Sequence, residues 1–70
     1  MKIDVGKLDV KIAESEMMIK DLCKKAEIGE NAFRAIRKGK SEPRLATIGR
    51  IANALGVSVK DVIVQEGNDD

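Results

Sequence analysis

The apolar residues come in short groups spaced three and four apart, separated by polar or glycine-containing breaks. Val5, Leu8 and Ile12 predict a first helix over about 5–14, with Asp4 placed to cap it. Met17, Met18, Leu22, Cys23 and Ala26 give a second stripe and a helix over about 18–26, with Met18 where a Ser or Thr cap is usual. Glu27-Ile28-Gly29 interrupts the pattern, and Ile28 reads as a plug into the core. Ala32, Phe33 and Ile36 define a third helix over 30–37, with Gly29 as a weak N-cap and Gly39 as its stop. Lys40-Ser41-Glu42-Pro43-Arg44 is a polar loop, and Pro43 places the next helix start at about Arg44. Leu45, Ile48, Ile51, Ala52 and Leu55 are the clearest helical repeat, closed by Gly56. Gly49 interrupts it at a cost of about 1 kcal/mol, for which close approach of a neighbouring helix is the expected reason.

A last short helix is expected from Val57-Ser58, with Ser58 and Asp61 as a capping box and Val59, Val62 and Ile63 inward. Val62-Ile63-Val64 has a second reading as a short strand, because β-branched residues favour extended chain. The sum is an all-α fold, a compact five-helix bundle over residues 1–65, followed by a flexible acidic tail at 66–70. Its expected core is Leu8, Ile12, Leu22, Ile28, Phe33, Ile36, Leu45, Ile48, Ile51, Ala52, Leu55, Val57, Val62 and Ile63.

Seventy residues hold one domain. The lone Cys23 excludes an internal disulfide and reads as a small apolar residue on the inner face of the second helix. No stretch approaches the roughly 18 apolar residues of a membrane span, and the first residues lack a secretory pattern, so the cytoplasm is the expected location. An enzyme is not expected. The chain has no histidine, one cysteine cannot build a metal cluster, and no glycine-rich phosphate loop is present, so no metal, cofactor or small-molecule ligand is expected either.

Net charge, with 13 basic and 12 acidic residues, points to no partner, but its distribution does. From Arg34 to Arg50 there are six bases and one acid, and from Glu66 to Asp70 three acids and no base. With Ala32, Phe33 and Ile36 inward, the third helix turns Glu30, Asn31 and Arg34 outward, with Arg37 or Lys38 at its end. It is too short and too polar to be stable alone. Pinned on the second helix, it can present that face to a DNA groove. Asn and Arg carry the donor and acceptor geometry that reads adenine and guanine edges. Lys38 and Lys40, flanking Gly39, are placed for phosphates, which add affinity without sequence information.

These segments resemble the helix-turn-helix domains of the Cro and lambda-repressor type, the XRE-like family. The likeness runs from Leu8 to about Ile63. It is carried by Asp21-Leu22-Cys23-Lys24-Lys25-Ala26, by Ile28, and by Phe33-Arg34-Ala35-Ile36-Arg37-Lys38-Gly39. Pro43 and Thr47-Ile48-Gly49-Arg50-Ile51-Ala52-Asn53-Ala54-Leu55-Gly56-Val57-Ser58 complete it. The resemblance implies double-stranded DNA as partner, a role in transcription regulation, and Glu30 to Arg37 as the recognition helix. In the family the second helix usually starts with a Ser or Thr cap and a Gln that often touches DNA. Met18 and Ile19 hold those positions here, and Glu27 and Gly29 replace the usual glycine and hydroxyl cap around the turn.

The expected DNA-binding residues are therefore Ile19, Glu30, Asn31, Arg34, Arg37, Lys38 and Lys40. A short recognition helix reaches few base pairs, so a weak homodimer is expected, through the last helix with Val59, Ile63 or Val64. The competing reading is a protein-interaction module. It draws on near-neutral charge, on Glu27 and Glu30 at the DNA face, and on apolar Met18 and Ile19.

Overall fold

The computed structural model describes residues 2–65; the acidic tail at 66–70 lies outside them. The described chain forms four α-helices: α1 Val5–Ser15, α2 Ile19–Ala26, α3 Glu30–Arg37 and α4 Leu45–Leu55. A single 3-10 turn, Val59–Asp61, stands where the fifth helix was expected. It stays short because the chain leaves helical geometry at Val62 and pairs with the opposite end of the domain at Ile63. Ile63 pairs antiparallel with Ile3, flanked by bonds from the Asp4 amide to the Val62 carbonyl and from the Val64 amide to the Lys2 carbonyl, both 2.8 Å. The strand reading of Val62-Ile63-Val64 thus holds in its smallest form, as one isolated bridge.

Helix boundaries follow local chemistry. The Asp4 carboxylate accepts from the Lys7 amide at 3.1 Å and caps α1. Ser15 joins α1 to the break after it, donating from Oγ to the Ile12 carbonyl and accepting from the Met17 amide. Met18 and Gly29 occupy the N-cap positions of α2 and α3 with no side-chain bond, and Arg44 does the same for α4. The Asp61 carboxylate accepts from the Ser58 amide at 3.0 Å, one arm of the expected capping box.

Three helices end in the same way, with a left-handed residue and paired bonds back into the last turn. After α3, Gly39 (φ 76°) donates to Ile36 and Lys40 donates to Ala35. After α4, Gly56 (φ 73°) donates to Asn53 and Val57 donates to Ala52. After α2 the left-handed residue is Glu27 (φ 58°), which donates to Lys24 while Ile28 donates to Cys23. A glutamate therefore stands in a conformation that the other two ends fill with glycine.

The core gathers Leu8 and Ile12 of α1, Leu22, Cys23 and Ala26 of α2, Phe33 and Ile36 of α3, and Ile48, Ile51, Ala52 and Ala54 of α4, with Ile3 and Val62 from the paired ends. Helix α2 packs mainly on α4, and α3 packs on α2. Phe33 is 0 % exposed. No polar or charged side chain is buried among the described residues. Ile28, Leu55, Val57 and Ile63 are only partly buried against this core.

Three inward assignments are corrected, the first being Met18 of the second stripe, which is 69 % exposed as the N-cap of α2. Leu45 is 63 % exposed, because as the first residue of α4 it precedes the turn that meets the core. Ala32 is exposed, on the outward side of α3 from Phe33 and Ile36. Ile3 and Ala54, which had no inward assignment, join the core, as does Ala26 of the second stripe. Gly49 needs no close neighbour, since a Cβ built there meets nothing within 4 Å.

Candidate nucleic-acid interface

Helix α3 is two turns long and strongly two-sided. Phe33 and Ile36 fix it to the core, and Glu30, Asn31, Ala32, Arg34 and Arg37 are left exposed. Ile19, the first residue of α2, is partly buried and packs beside it. Ile19, Glu30, Arg34 and Arg37 surround a shallow hollow of about 190 Å³ that Phe33 also lines. The structure therefore brings four of the seven expected residues to one place, at the junction of α2 and α3.

Asn31 lies beside that group. Its Oδ1 accepts from Arg34 Nη1 at 3.3 Å, so the two expected base readers are bonded to each other across three residues of α3. Lys38 follows the helix as its C-cap and is exposed. Lys40 is exposed too, but it lines a different hollow, with Lys2, Ile3, Ser41 and Pro43 at the end of the loop. Arg37 is already engaged. Its Nε donates to Asp9 Oδ1 of α1 at 3.1 Å, and its Nη2 lies 3.0 Å from the same oxygen.

Cys23 lies on the inner side of the junction. Burial raises its thiol pKa, Glu30 adds to the rise, and Arg34 opposes it, so the sulfur is within electrostatic reach of both Glu30 and Arg34. A neutral thiol there acts as a small apolar filler rather than a nucleophile.

Two supports of this site were not foreseen in the sequence. Asp9 holds Arg37 from 28 residues away, and Arg50 of α4 donates from Nε to the Ala26 carbonyl at 3.0 Å from 24 residues away. Neither pair shares a helix, so no helical spacing announces it. The Asn31–Arg34 pair, three apart on one helix, is the kind that spacing does announce.

A short helix laid across a second one through a tight turn, with amide and guanidinium groups outward and bases beyond its end, defines a helix-turn-helix nucleic-acid reader. The family model for the Cro/C1-type HTH DNA-binding domain matches residues 7–67. The chain belongs to that family of DNA-binding domains. No curated protein and no solved structure matches the chain. Among the described residues no cluster of three or more metal-ligating side chains occurs, and no helix is long and apolar enough to cross a membrane.

Proposed function

We propose that the protein is a sequence-specific regulator of transcription that binds double-stranded DNA through α3 and acts as a repressor. The observation that carries this reading is α3 itself. Phe33 and Ile36 anchor it, and Asn31 and Arg34 stand together on its solvent side. Those side chains have the chemistry to read adenine and guanine in the major groove. Lys38 and Lys40 follow in the chain and meet phosphates, which set register and affinity. Ile19 and Glu30 border the reading face, Ile19 offering an apolar contact to a thymine methyl and Glu30 accepting from a cytosine amine.

Repression is the simplest action open to such a domain. Occupancy of a promoter by a small domain excludes other proteins from that stretch of groove, with no further machinery. Two copies bind two half-sites about one helical turn, 34–36 Å, apart, because one α3 covers too few base pairs for a unique address. The element first expected to join the copies is largely occupied at home. Val59 and Ile63 pack on the core of their own chain, and Val64 is half-buried.

A specific observation also favours a protein partner. Met18 is 69 % exposed at the head of α2, next to Ile19, where a polar DNA contact is usual for the family. Selection from a random duplex pool, followed by a salt titration on the winning duplex, separates the two. The regulator returns a two-fold symmetric site and binding that weakens steeply with salt. No enriched site and no duplex binding at low salt would reject it in favour of the interaction module.

A further inference from the structure

The carbonyls at the end of α2 are not all used by the turn that follows. Glu27 and Ile28 donate to Lys24 and Cys23, which leaves the last carbonyl of the helix, Ala26, without a partner from the turn. Arg50 supplies it. Its Nε reaches across from the middle of α4 and donates at 3.0 Å. The bond places a guanidinium at the negative end of the α2 dipole, where a cation is stabilising. It also lands one residue before Glu27, the left-handed residue around which the chain swings from α2 into α3. Ala26 is buried, so its carbonyl has little water to turn to if Arg50 is lost.

We infer that Arg50 is a positioning residue for DNA reading: without touching the recognition face, it fixes the turn that sets the angle of α3 on α2. The inference rests on the DNA-binding reading above, and it identifies a residue of α4, outside the helix-turn-helix, as a determinant of its specificity. Helix α3 needs such a hold. It is short, its N-cap Gly29 offers no side chain, and the turn before it carries Glu27 in a strained conformation. A small rotation of α3 moves Asn31 and Arg34 off a base edge while leaving the general positive charge of the surface unchanged. Loss of Arg50 therefore costs discrimination more than it costs affinity for DNA at large.

The test compares the full chain with Arg50→Ala and Arg50→Lys, well below their melting temperatures. Amide hydrogen exchange is the first readout. The amides of Gly56 and Val57 make the same paired bonds after α4 as Glu27 and Ile28 make after α2, and serve as the internal reference. In Arg50→Ala, exchange at Glu27 and Ile28 accelerates relative to Gly56 and Val57. In Arg50→Lys, whose ammonium can donate to the same carbonyl, it largely returns. Anisotropy on the selected and a scrambled duplex is the second readout. Arg50→Ala lowers the preference for the selected duplex by about tenfold, the scale of one lost bidentate base contact, with little change on the scrambled one.

Exchange that rises everywhere alike, or nowhere, overturns the inference. So does an equal loss on both duplexes with a salt slope lowered by about one, which would make Arg50 a phosphate contact. Wild-type protein that binds no duplex defeats the proposed function instead, and the exchange readout then decides alone whether Arg50 holds the turn.

Discussion

Arg37 of α3 and Asp9 of α1 form a double contact through one carboxylate oxygen, at 3.1 Å from Nε and 3.0 Å from Nη2. Both side chains remain well exposed, so the pair adds at most about 1 kcal/mol to stability. Its consequence lies in charge. An arginine expected to contact DNA is already neutralised by a carboxylate of its own chain. Asp9→Asn should tighten duplex binding and steepen its salt dependence by about one unit as Arg37 is released. Arg37→Ala in the wild-type background should cost less affinity than Lys38→Ala. Titrations at several salt concentrations check both, and an unchanged slope in Asp9→Asn would sink the idea.

Arg34 and Lys38 should separate reading from steering. Arg34 is bonded to Asn31 on the solvent side of α3, whereas Lys38 stands at the helix end. Arg34→Ala should weaken the preferred duplex by about 1 to 3 kcal/mol more than a scrambled one. Lys38→Ala should weaken both alike. Equal losses on the two duplexes for Arg34→Ala would demote it to a phosphate contact and leave specificity to Asn31, Glu30 or DNA shape.

Phe33 is the only aromatic residue and is completely enclosed. Phe33→Ala should destabilise the fold by about 3 to 5 kcal/mol, through lost burial and the cavity left behind. In a chain of this size that is a large share of the total. A denaturant melt reporting less than about 1 kcal/mol would contradict the enclosure.

Backbone conformation offers two stabilising changes. Glu27→Gly should gain about 1 kcal/mol, because glycine accepts the left-handed geometry that an L side chain resists. Gly49→Ala should gain a similar amount, about 1 kcal/mol, by restoring helix propensity where a new Cβ meets nothing. Thermal melts check each, and a lower melting temperature in either variant would mean that side-chain contacts outweigh the backbone gain.

Cys23 makes stability depend on alkaline pH. Burial, then Glu30, raises the thiol pKa in the folded chain, with Arg34 opposing. The unfolded chain releases the same proton at about pH 8.5 to 9. Above that pH the unfolded state binds fewer protons than the folded one, so stability falls as pH rises through the interval between the two values. Below it the thiol contributes no pH dependence. Urea melts from neutral to alkaline pH should show a smaller alkaline loss in Cys23→Ala than in wild type. Identical pH profiles would show that the buried thiol is not responsible.

The four α-helices were legible because each repeats its apolar residues at helical spacing and is bounded by a polar or glycine break. The outward set Asn31 and Arg34 was legible for the same reason, by phase against Phe33 and Ile36. Alanines were not. Ala32 and Ala54 carry too little apolar surface for pattern to assign a side, and one is exposed while the other is buried. Leu45 misled because periodicity does not say at which residue a helix begins to touch the core. The Ile3–Ile63 pairing had no signal at the first position, since a single extended residue has no period. The partners of Arg37 and Arg50 were hidden because both contacts join separate helices, through a side chain in one case and a backbone carbonyl in the other.

The Ile3–Ile63 bridge sets the order in which the fold can be completed. A ribosome delivers Ile3 before the four α-helices and Ile63 after them, so the residues around Ile3 wait unpaired while all four are made. Val62, completely enclosed in the finished core, arrives with the same late segment. A nascent chain halted at Leu55 therefore carries all four α-helices over a core still open where Val62 and Ile3 belong. Closing it is a single ring closure across the fold, the most non-local step of an otherwise local topology, and it joins the segment after α4 to the segment before α1.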